Sequence, residues 1–147
     1  MNARTQFARH YLQVMGGTLG LLSQIDPDDR SVGVLAGDNW FRVVNTAPSD
    51  PECLRIEQTM DAGHLDDEVA RGILARSAPR LCPVTTLHQQ GSVVTARTET
   101  ILAGPGELPK PSLLAVVIPR LLLQIEHALD TYSTELVLTA MLDSNAE

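Results

Sequence analysis

Lysine is nearly absent from this 147-residue chain: of 11 basic residues only Lys110 is a lysine. The rest are Arg, and with many Ala, Leu, Val and Thr the composition is of the kind that GC-rich bacterial genomes encode. Positive charge is short overall, and the formal net charge is −7. That excludes a general nucleic-acid binder, which must displace counterions from phosphates with Lys and Arg. Cysteine is scarce as well. Cys53 and Cys82 lie far apart and form no C-x-x-C, so they read as free thiols and not as a disulfide framework. The most apolar stretch, Leu113 to Ile125, is broken by Pro119-Arg120 and reads as too short to cross a bilayer. No basic segment leading into an apolar run opens the sequence. A cytoplasmic protein is the expectation.

Recognisable chemistry is missing too. There is no H-E-x-x-H, no G-x-S-x-G, no phosphate-binding Gly-rich loop and no G-x-G-x-x-G. The four histidines (His10, His64, His88, His127) include no pair at metal-ligand spacing. The expectation is therefore no metal, no cofactor and no enzymatic activity.

Apolar residues make up 44% and charged residues 20%, the balance of a globular domain able to bury a core. One domain spanning 1–147 is expected. Phe7, Tyr11, Val14, Met15, Leu19 and Leu22 share a face at helical spacing, although Gly16-Gly17 weakens that helix by about 1 kcal/mol per glycine. Asp26-Pro27-Asp28-Asp29 is a turn. Two β-prone runs follow, Ser31–Ala36 and Asn39–Val44, with Gly37-Asp38 suited to a tight hairpin between them. After a Pro/Ser/Asp loop, Cys53–Met60 alternates as a half-buried strand. Asp66-Asp67-Glu68 caps a short helix that Pro79 stops. Val84–His88 and Ser92–Leu102 read as strands around a Gln90-Gly91 turn, and a final helix starts near Pro111-Ser112. Pro119 should kink this last helix or mark its first turn. The predicted fold is α+β, an antiparallel five-stranded sheet with helices on one face, in the order α-β-β-β-α-β-β-α.

The densest titratable cluster, Asp61 to Glu68 around His64, would suit cation binding or acid–base work, the basis of a small-enzyme alternative. A solvated turn before a capped helix explains it more simply. Trp40-Phe41 beside Arg42 is either a core anchor or a docking platform. In the last helix Leu113 through Ile125 places apolar residues nearly all round, so more than one side needs cover, from a second copy or a client chain.

The element order resembles that of the class I type III secretion chaperones and the related YbjN-like domains. Tyr11-Leu12-Gln13-Val14-Met15-Gly16-Gly17-Thr18-Leu19-Gly20-Leu21 is similar to that family's first amphipathic helix. Gln90-Gly91-Ser92-Val93-Val94 through Leu102-Ala103-Gly104 is similar to its final hairpin. The resemblance implies a homodimer that holds an extended segment of a partner protein, such as a secreted effector, with no cofactor. On that reading Leu12, Met15, Leu19, Leu22, Trp40 and Phe41 are expected to touch the client. Val69, Ile73, Val84 and Leu87 are expected to form the dimer seam. An adaptor of the same fold, bound to a folded partner, is the rival expectation.

Overall fold

The computed structural model describes residues 2–146. Helix α1 (Ala3–Leu12) begins where the Asn2 side chain accepts the Thr5 N–H, satisfying one of the free amides of the first turn. It continues into a π-helical turn over Gln13–Thr18, closed by the Leu19 and Leu21 N–H groups donating to Val14 and Met15. Gly16 and Gly17 sit in this wider turn, and Gly20 then takes a left-handed φ of +67° that ends the helix. The expected helix to Leu22 is thereby corrected. Leu22 starts a strand, β1 (Leu22–Ile25), that the sequence reading missed. Leu19 and Leu22 are three apart, a spacing that continues a helical stripe even after the backbone has left the helix.

The sheet has six strands, not five, and the element order differs accordingly from the expected one. The remaining strands are β2 (Val32–Ala36), β3 (Asn39–Val43), β4 (Cys53–Asp61), β5 (Thr85–Gln90) and β6 (Val93–Ile101). They lie in the order β1-β2-β3-β4-β6-β5, and every neighbouring pair is antiparallel. Gly37 and Gly91, at φ +60°, make the two hairpin turns expected at those positions. Alternation assigns the faces. Val32, Val34, Phe41, Val43, Leu54, Ile56, Val94 and Ala96 are buried on one of them. The opposite face carries Trp40, Arg42, Arg55, Glu57, Arg97 and Glu99.

The helices cover the buried face. Helix α2 (Asp67–Ser77) is capped by Asp66, which accepts the Glu68 N–H, and passes into a 3-10 turn at Ala78–Arg80. Helix α3 (Pro111–Ala146) runs through Pro119 without a break. Its inward residues Leu114, Ile118, Leu121, Ile125, Ala128 and Tyr132 recur at spacings of three and four and complete the core with Phe7, Tyr11, Met15 and Ile73. Because it runs through the proline, α3 is by length and composition able to cross a membrane, contrary to the expectation from the shorter run. One whole side of it, however, is built into the domain's core.

Two polar devices fix the packing. Buried Asn45 donates to the carbonyls of Arg4 and Arg30 and accepts the Ala47 N–H, tying α1, the β1–β2 turn and the loop after β3 together. Glu135, buried on α3, accepts from Arg76 at 3.0 Å and pairs with Arg80 at 2.8 Å, which locks α2 onto α3.

Candidate functional site

A split in the sheet is the main irregularity of the fold. β4 pairs with β6 over all nine of its residues, Cys53 through Asp61. Against β3 it pairs only at Arg42↔Glu57 and Val43↔Ile56, with one further bond from the Val44 N–H to the Arg55 carbonyl. Peptide groups at alternate residues of an antiparallel strand point to the same edge. The Val44–Arg55 bond therefore turns the main chain of Arg55, Glu57 and Thr59 toward β3, and that of Trp40 and Arg42 toward β4. In register, Trp40 would oppose Thr59. No bridge joins them, and two strand edges face each other unpaired.

Depressions open on both sides of this split. On the uncovered face lies one of about 550 Å³, walled by Gln24, Trp40, Arg42, Glu57 and Thr59 and rimmed by Asp26 and Asp28 of the β1–β2 turn. On the helix side a second, of about 330 Å³, is lined by Asn39, Gln58, Met60, Leu129, Asp130 and Ser133. The Trp40 ring stays 44% exposed. Its six-membered edge lies over Gly33, whose missing side chain leaves it room.

A ladder of charges borders the split. Glu57 accepts from Arg42 and from Arg97, both at 2.9 Å, and Arg55 pairs with Glu99 at 2.6 Å. Arg42 also reaches Asp29. Partial burial works against the charge on Asp29, but the Ser31 N–H that it accepts and the nearby Arg42 hold its carboxyl below the usual value. Burial likewise opposes the charge on Arg42, and its two carboxylate partners outweigh that and hold it firmly protonated.

The residues expected to touch a client are dispersed. Trp40 stands in the wall of the split, and Leu22, 64% exposed, lies on the same face at the sheet's edge. Met15 and Phe41 are fully buried, although Phe41 also borders the depression at the split. Both lie on the inward side of their elements, Phe41 because it directly follows the outward Trp40. Leu12 and Leu19 are half-buried against the core. Of the expected dimer seam, Ile73 is wholly buried under α3 and has no surface to offer. Val69 and Leu87 pack against the core, and only Val84 is exposed. Glu57 and Thr59 were not singled out from the sequence. The usable signal was length, since β4 is longer than the β3 run it was to pair with.

The cluster around His64 is a turn. Asp61 accepts the Gly63 N–H and Asp66 caps α2, while His64 is exposed. Among the described residues no group of three or more His, Cys, Asp or Glu side chains could hold a metal ion. Burial pushes the Cys53 thiol up, away from the thiolate that a nucleophile needs. No protein-family model matches the chain, and no curated protein matches its sequence.

Proposed function

We propose that this chain is a non-enzymatic, chaperone-like protein-binding module that holds a short extended segment of a partner protein at the split between β3 and β4. The observation that carries the reading is the pair of unpaired edges at Trp40 and Thr59 beside a depression walled by Trp40. An extended segment binds an open edge through main-chain hydrogen bonds, and alternate side chains then enter flanking pockets. Ordering that segment costs about 2–5 kcal/mol, which contact with Trp40 helps to offset. The acidic rim at Asp26 and Asp28 favours a segment that carries a basic residue beside its apolar ones. The resemblance to the type III secretion chaperones supports the same reading, although the additional strand β1 departs from the expected order. The module acts in the cytoplasm, and its surplus of negative charge keeps a surface with open edges soluble.

The single tryptophan makes the test direct. The full chain is titrated with soluble decapeptides in which apolar residues alternate with Lys or Ser. Binding moves Trp40 emission to the blue and slows hydrogen exchange at the Thr59 amide. Thr59→Pro removes the N–H that faces the split and weakens binding at least tenfold with little change in melting temperature. If no peptide moves Trp40 emission while a folded protein partner does, the segment-holding reading fails and an adaptor replaces it.

A further inference from the structure

The two depressions at the split share part of their lining. Gln58 and Thr59 border both the outer one, on the uncovered face, and the inner one, on the helix side. Successive side chains of a strand point to opposite faces of its sheet. A strand laid along β4 at Thr59 therefore sends its side chains alternately into the two depressions. Their chemistry differs. The outer one holds the Trp40 ring, and its cation, Arg42, already pairs with Glu57 and Asp29. The inner one holds the carboxylates of Glu126 and Asp130 with the amides of Asn39 and Gln58, and no Lys, Arg or His lines it. Among the described residues neither carboxylate makes an ion pair. The two stand one turn apart on α3, about 6 Å along its axis. Asn39 and Asp130 are exposed, so the depression opens to solvent.

We propose that the inner depression is the specificity pocket for one arginine of the bound segment, whose two neighbours in sequence lie against Trp40 on the outer side. The inference rests on the segment-holding reading of the split and adds the sequence pattern that the segment carries, apolar–Arg–apolar. A guanidinium presents five N–H donors in a rigid plane and no acceptor, which matches a wall of carboxylate and amide oxygens. It is wide enough to donate to both carboxylates, whereas an ammonium is a more strongly hydrated point charge. An apolar side chain at this position would take water from the two carboxylates and give them no partner. An acidic one would be repelled. Asp26 and Asp28 on the outer rim draw a basic segment toward the split, and Glu126 and Asp130 seat its charge.

Three soluble decapeptides test the proposal on the full chain. They are Ser-rich and alike except for a central Val-X-Val, in which X is Arg, Gln or Glu. Trp40 emission reports occupancy of the split. The Arg peptide should bind tightest, the Gln peptide about tenfold or more weaker, and the Glu peptide weaker still. Glu126→Gln with Asp130→Asn should bring the Arg and Gln peptides to nearly equal affinity at an almost unchanged melting temperature, since neither residue is buried. Glu126→Arg with Asp130→Arg should reverse the order and make the Glu peptide the tightest, which a merely structural role would not do. Three peptides that all shift Trp40 emission with equal affinity overturn the arginine pocket and leave the segment-holding reading standing. A preference for Arg that survives in the Gln/Asn variant also overturns the pocket. If no peptide shifts Trp40 emission, the pocket and the segment-holding reading fall together.

Discussion

Asn45 shows how much of the amino-terminal half rests on one side chain. Its amide serves two carbonyls and its oxygen one amide, while its own N–H donates to the Ser31 hydroxyl. Truncation leaves buried carbonyls without donors, so Asn45→Ala should lower stability by about 2–3 kcal/mol, measured by urea unfolding. Asp29 sets an acid limit. A carboxyl held below the ordinary value of about 3.8 adds stability that is fully present above that value and is lost as pH falls through its lower folded value. Unfolding midpoints of the wild type and of Asp29→Asn should therefore differ at neutral pH and converge below about pH 4. Individual caps and turns of this kind were legible in the sequence: Asp66, Gly37 and Gly91 each sit where their chemistry placed them. Asn45 was not legible, because its partners Arg4 and Arg30 are distant in the chain and nothing local marks a side chain as a hub.

Among the elements, α3 and its clasp on α2 allow a paired comparison. Arg76 and Arg80 are about half exposed, whereas Glu135 is buried. Removing both arginines strands a buried carboxylate, and Arg76→Ala with Arg80→Ala should cost about 3–5 kcal/mol. Glu135→Leu leaves two arginines that can turn to water, and should cost much less; thermal unfolding of the two variants decides it. The sheet's elements were readable to the extent that their periodicity was unambiguous. β2, β3, β4 and β6 fell within a residue or so of their expected bounds. β1 did not, because Leu19 and Leu22 continue the helical spacing while Gly16, Gly17 and Gly20 change the backbone beneath them. Pro119 is not the first turn of the last helix, which begins at Pro111. A proline removes one backbone donor, but α3 has a full buried stripe on either side of it, and tertiary packing holds the helix continuous.

Over the whole molecule, the sheet consists of two three-stranded ribbons, β1-β2-β3 and β4-β6-β5, tied at two residue pairs and one additional bond. Sequence patterns specify which residues face inward along a strand, but not how far two neighbouring strands stay together, so the greater length of β4 over β3 was the one sign of the split that the sequence carried. The first ribbon closes through contacts between near neighbours in sequence, whereas the second joins β4 to β6 across α2 and β5 and so spans more of the chain. The place proposed to accept a partner's strand is thus also the seam along which the two ribbons hold each other least.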